Sequence, residues 1–268
     1  MSFLVLLLTG LILLWSPWRT GYPREVLRPW VERVASFGQG WVGVAAVLSL
    51  LLPVALLLWA VQGLVYGFIT LLLHVTVLLM CVGRHDPLRS MTTAFKEAWE
   101  RGDRAAAAQV AAPHLEGSEI HSAELSGLLR ARMVAASLQD YFAPAFWYLL
   151  LGPLGALGYR LLELTRLHRG QAMTGPATLL MHALEWLPAR LLVLSFALVG
   201  QFDSTLQVLH KRVTEWEAPA GELVAACATA ALPPVAADDV RGVEDTRHLL
   251  VRALLSWAVI VAFFSMLG

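Results

Sequence analysis

Residues 42–61 read VGVAAVLSLLLPVALLLWAV, and this stretch decides the fold. It holds no carboxylate, lysine or arginine, and about 20 apolar residues are what a helix needs to cross roughly 30 Å of bilayer hydrocarbon. The pattern repeats outward from it. Residues 64–82, LVYGFITLLLHVTVLLMCV, are equally free of those charges. Residues 248–267 form a third run, broken only by Arg252 near its start, where a long side chain snorkels to the interface. The N-terminal run 3–15 is shorter, with Trp15 and Trp18 supplying the aromatic edge of a headgroup boundary. No basic segment precedes it and no small-residue cleavage site follows, so it reads as a retained anchor. Runs 141–162 and 186–200 are apolar, short and proline-bearing.

Composition excludes several classes. Hydrophobic residues make up 57% and charged residues 15%, against about 45–50% and about 25% in soluble domains. Net charge is zero, which removes the basic footprint of a nucleic-acid binder. Cys81 and Cys227 have no CxxC spacing, so they read as two thiols in a reducing compartment, and neither a disulfide framework nor a thiolate zinc site is implied. The expected architecture is all-α: a polytopic integral membrane helical bundle forming one membrane domain over 1–268. Amphipathic cytoplasmic helices fill 84–139 and 203–247.

Arginine placement orients the chain. Arg19, Arg24, Arg28 and Arg33 lie between runs 3–15 and 42–61, and Arg84, Arg89, Lys96, Arg101, Arg104, Arg130 and Arg132 follow run 64–82. Both loops are expected in the cytoplasm, with both termini in the periplasm. For residues 141–200 two readings stay open. Two full crossings leave Arg160, Arg166 and Arg169 outside, whereas a re-entrant hairpin keeps them inside.

The loop segments carry their own periodicity. Residues 87–112 read as two short helices, the first with Leu88, Met91, Phe95, Ala98 and Trp99 on one face, stopped at Arg101-Gly102-Asp103. Residues 119–138 form another, with Leu125, Leu128, Leu129 and Met133 on its apolar side, running on into 141–162. Asp203-Ser204 caps a helix reaching Glu217, and 221–232 forms one more. These helices show no independent core, and are expected to lie against the membrane domain; packing on one another is the alternative.

The polar residues at membrane depth are the candidates for function. In Glu185-Trp186-Leu187-Pro188-Ala189-Arg190, proline leaves the Leu184 carbonyl without its helical donor and kinks the axis. Arg190 just inside the following apolar run suits a carboxylate, a carbonyl or an anionic ligand, and Glu185 is a candidate partner. Arg89 and Ser90 join them as anion-binding candidates. His74 sits mid-membrane, with a backbone carbonyl, Thr70 or Thr76 as expected partner. Gly152, Gly155 and Gly158 thin one flank of their segment for close helix packing. His85, Asp86, His114, Glu116, Glu119 and His121 match no dedicated metal spacing and read as loop polarity. There is no GxxxxGK loop, GxSxG elbow or HExxH, so neither enzymatic chemistry, a metal nor a cofactor has a motif behind it.

The order of certain segments carries a resemblance. Gly83-Arg84, Leu88-Arg89-Ser90, Arg101-Gly102-Asp103, Ala143-Pro144-Ala145-Phe146-Trp147, Gly155-Ala156-Leu157-Gly158-Tyr159 and Leu187-Pro188-Ala189-Arg190-Leu191 occur in sequence, and the 143–147 and 185–190 pieces are the most specific. The chain resembles the AmpE family of bacterial inner-membrane proteins, relatives of the CobD/CbiB cobalamin-biosynthesis enzymes, over its whole length. Those enzymes join an aminopropanol to a corrinoid carboxyl group using ATP. Where they carry carboxylates and amides, this chain has Ala135, Ala136 and Gln139, then Glu163-Leu164-Thr165-Arg166, then Met181-His182 with Glu185; Asp140 lies near one of their acidic positions. Chemistry that activates a carboxylate and balances Mg-phosphate charge needs such groups. The resemblance therefore implies a non-catalytic membrane regulator or sensor of cell-wall stress and β-lactamase induction, linked to ampicillin resistance. The expected partners are the lipid bilayer and either a small anionic ligand or a signalling protein. A CobD/CbiB-like amide-forming enzyme and a transporter are the alternatives.

Overall fold

The computed structural model describes residues 2–15, 27–35, 40–61, 67–82, 88, 92–115, 125–167, 174–212, 218–234 and 239–267. Among these there is no strand. The helices are α1 (Ser2–Trp15), α2 (Arg28–Ala35), α3 (Gly40–Leu48), α4 (Leu51–Ala60), α5 (Phe68–Cys81), α6 (Thr93–Glu100), α7 (Arg104–Ala111), α8 (Leu125–Ser137), α9 (Ala143–Leu167), α10 (Thr174–Val199), α11 (Phe202–Arg212), α12 (Ala220–Ala230) and α13 (Arg241–Leu267). The protein is a polytopic all-α membrane bundle. Gly40–Ala60, Leu125–Arg166, Gly175–Val199 and Arg241–Met266 are long and apolar enough to cross a bilayer. Their outward faces agree: Leu52, Leu56 and Trp59 on α4 and Val259, Phe263 and Phe264 on α13 are exposed, a surface compatible with lipid rather than water.

Prolines explain where helices break. Pro53 has no N–H for the Ser49 carbonyl, which accepts from Leu52 N–H at 3.0 Å instead, and the run 42–61 divides there into α3 and α4. Pro144 likewise withholds a donor from Asp140 and crowds its carbonyl; the chain opens into a π-helical turn over Leu138–Phe142 before continuing as α9. The continuity expected from 119–138 into 141–162 is present from Leu125 onward.

Helix ends differ from the apolar runs because polar residues find partners. α13 starts at Arg241, ahead of the run at 248. Asp239 Oδ1 accepts from Arg241 N–H at 2.8 Å and its Oδ2 from Arg241 Nε at 2.8 Å, which holds the Asp239 carboxyl below its ordinary pKa. Lys96 Nζ donates to Glu244 at 2.8 Å, and that carboxylate holds the ammonium above its usual value. Arg130 Nε donates to Thr246 Oγ1 at 3.1 Å. α10 starts at Thr174, well before 186. α5 begins only at Phe68, and α11 runs Phe202–Arg212, with 62–66 and 213–217 outside the described residues.

The chain forms two compact units: Met1–Arg84, Asp140–Trp186 and Val261–Gly268 in one, His85–Gln139 and Leu187–Ile260 in the other. In the first, α9 is the hub, touching α1, α2, α3, α4 and α5. Val47, Leu78, Cys81, Tyr148, Leu157 and Leu161 form its main core, and Val44, Ala143, Tyr159, Leu162, Ala177 and Met181 a second cluster. The three α9 glycines do different things. Gly152, at φ +69°, lets the chain leave helical geometry before Pro153. A Cβ at Gly155 would lie 2.5 Å from the Trp147 carbonyl oxygen, and Gly158 makes ordinary room for Leu51.

In the second unit, α6 pairs with α7, and α12 packs against α8 and α11. Leu125, Leu129 and Met133 are buried on α8, as are Leu223, Val224 and Cys227 on α12. Besides these pairings, Lys96 on α6 and Arg130 on α8 bond to Glu244 and Thr246 on α13. Alanine and glycine give the hydrophobic pattern little to show: Gly221 approaches so closely that a Cβ there would sit 3.2 Å from Ala135 Cβ. The ends of α10 and α12 are tied by Gln201 N–H to Ala231 O at 2.9 Å, with room at Gly200 for no side chain, since a Cβ would meet that oxygen at 2.6 Å. Gly200→Ala is expected to lower unfolding stability in detergent by about 1–3 kcal/mol. Gly10→Ala, which enters open space, is expected not to.

Candidate functional site

The polar centre of the first unit grows from the proline in α10. Pro188 withholds the donor that the Leu184 carbonyl would receive, and in an apolar surround an unpaired carbonyl is costly. The indole of Trp147 on α9 supplies it: Nε1–H donates to Leu184 O at 3.2 Å. One residue along, Glu185 Oε1 accepts from the Tyr159 hydroxyl at 3.2 Å. Tyr159 and Glu185 are both buried. Trp147 and Leu184, far apart in sequence, are thus joined by backbone repair.

Next to Tyr159, Arg160 forms a buried ion pair with Glu163, one turn on, and Asp140 Oδ1 lies 3.7 Å from the same guanidinium. The π-helical turn carries Asp140, so the distortion forced by Pro144 delivers a carboxylate. Both Arg160 and Glu163 have side chains at most 6% exposed, which makes their pairing obligatory at this depth. Arg160, expected as a charge flanking the membrane run, is instead the buried partner of Glu163. The available signal was the i, i+3 spacing of Arg160 and Glu163 within an apolar helix. Chemically, the cluster is a guanidinium paired with carboxylates, which fixes local helix geometry.

The residues expected from sequence are distributed. His74 Nδ1 and the Tyr148 hydroxyl are hydrogen-bonded at 3.0 Å. Thr70 and Thr76, the partners expected for it, bond instead to the carbonyls of Val61 and Leu72. Pro188 is buried within α10, and Arg190 is partly buried there with its Nε shielded from solvent. Arg89 and Ser90 lie outside the described residues, as do His85, Asp86, Glu116, Glu119 and His121.

The family profile described as regulatory signalling modulator protein AmpE matches residues 17–268. The chain belongs to the AmpE family. A curated protein of Shigella flexneri named AmpE is 28% identical over 167 residues, which cover 56% of this chain and 57% of that protein. The aligned stretch thus spans little more than half of that AmpE. No solved structure matches. In this AmpE-family chain, the Trp147–Leu184 and Tyr159–Glu185 bonds and the Arg160 ion pair all fall inside the profile match.

Two experiments probe the centre. Trp147→Phe removes the donor and is expected to cost about 1–3 kcal/mol from the orphaned carbonyl. Pro188→Ala returns an N–H to Leu184, so the same substitution in that background costs measurably less; a double-mutant cycle of unfolding in detergent reads the difference. Arg160→Met or Glu163→Met alone is expected to destabilise by about 3–5 kcal/mol, and the double substitution by less than either.

Proposed function

We propose that the protein is a non-catalytic regulatory membrane protein of the bacterial inner membrane that modulates cell-wall stress signalling and β-lactamase induction. The observation that carries this reading is the AmpE profile match over residues 17–268. The buried centre supports it, because Arg160, Glu163 and Asp140 are occupied with one another. The positions where a CobD/CbiB-type enzyme would need carboxylates hold Ala135, Ala136 and Gln139, which weighs against an amide-forming reaction. In this reading both termini face the periplasm and the arginine-rich segments face the cytoplasm. The output goes to a signalling protein or a small anionic ligand met on that side.

Deleting the gene is expected to change the dose dependence of β-lactamase induction by β-lactams, and restoring it on a plasmid to return the original curve. Identical induction curves with and without the gene overturn the reading. A periplasm-active reporter fused at the C-terminus is expected to be active, and a cytoplasm-active one silent.

A further inference from the structure

The second unit contains an open cavity of about 680 Å³, within the roughly 300–1,000 Å³ typical of small-molecule sites. Its floor is the tied ends of α10 and α12, and its wall is α13. Val199, Leu232 and Val251 give it an apolar lining. Gln201 and three α13 residues, Asp245, His248 and Arg252, give it a polar one. Their i, i+3, i+7 spacing places those three on one helical face.

The polar set favours an anion. Arg130 and Arg241 both lie within electrostatic reach of Asp245 and oppose its charge. Arg252, His248 and Gln201 line the cavity with donors, and His248 also lies within electrostatic reach of Glu244. An arginine guanidinium and an imidazole N–H together suit a phosphate ester, whose oxygens accept hydrogen bonds, charge-assisted from the arginine.

Depth chooses the source of that phosphate. The membrane-length stretch of α10 ends at Val199, and the apolar run of α13 begins at His248. The cavity therefore sits where both helices pass from hydrocarbon to headgroups. Leu198, next to Val199, and Leu255, three residues beyond Arg252, are exposed apolar side chains beside the cavity. We propose that this cavity binds a phosphate-bearing membrane amphiphile, with Arg252 and His248 holding the phosphate and Val199 and Val251 lying along the apolar body. The claim concerns binding and stands independently of any role in β-lactamase induction.

The test uses the purified full-length protein in detergent and measures saturable binding of dioctanoyl phosphatidylglycerol, dioctanoylglycerol and inorganic phosphate. The expected result is binding of the phosphatidylglycerol, weakened about tenfold or more by Arg252→Gln and less by His248→Gln, with dioctanoylglycerol not bound. Both side chains are exposed, and an unchanged unfolding midpoint without lipid verifies that each variant folds. Equal affinity for dioctanoylglycerol overturns the phosphate assignment. Inorganic phosphate binding as tightly as the lipid overturns the amphiphile assignment. Phosphatidylglycerol affinity unchanged in Arg252→Gln, or no saturable binding by the native protein, overturns the site.

Discussion

In hydrocarbon a backbone carbonyl has no water to fall back on, and the first unit is organised around this constraint at Leu184. Pro188 removes the donor, and the indole of Trp147 replaces it. The same logic recurs at Ser49, which turns to Leu52 when Pro53 cannot serve it, and at Asp140, where Pro144 widens the turn. Each proline costs a helical bond, and each loss is tied to a defined local arrangement. The two most specific sequence pieces of the AmpE resemblance, 143–147 and 185–190, stand on either side of one such repair.

The charges follow a related economy of partners. Arg160 is tolerable in an apolar helix because Glu163 is one turn away and Asp140 is carried up to it by the π-helical turn. Glu185 is tolerable because Tyr159 donates to it. A buried network of this kind is weak evidence for net stability, since well-packed apolar residues can do as well, but breaking it from one side is costly. It therefore specifies one arrangement of α9 and α10 in the first unit more strongly than it strengthens the bundle.

The all-α membrane class was legible from 42–61, 64–82 and 248–267, because hydropathy over helical length is a direct consequence of bilayer thickness. The orphaned Leu184 carbonyl was legible too, since it follows from Pro188 alone. Its donor was not, because Trp147 lies 37 residues away and only folding brings them together. The helix start at Arg241 was missed for a related reason: its polar residues look like a loop until Asp239, Lys96 and Arg130 meet them. His74 shows the limit of local reasoning, as nearby threonines were the natural guess and the distant Tyr148 is the partner. The α8–α12 packing escaped notice because alanines and glycines bury little apolar area each and contribute by closeness.

The break at Gly152-Pro153 divides α9 into two segments, and each is moored separately to consecutive residues of α10: Trp147 before the break to Leu184, Tyr159 after it to Glu185. In mechanical terms this is a triangulated joint. A hinge lies at the apex, and two struts run from either side of it to nearly one point. Flexing at Gly152 must stretch one mooring or the other, so the joint has no soft mode available while both hold. Loss of either bond leaves one segment of α9 free to pivot at Gly152 against α10.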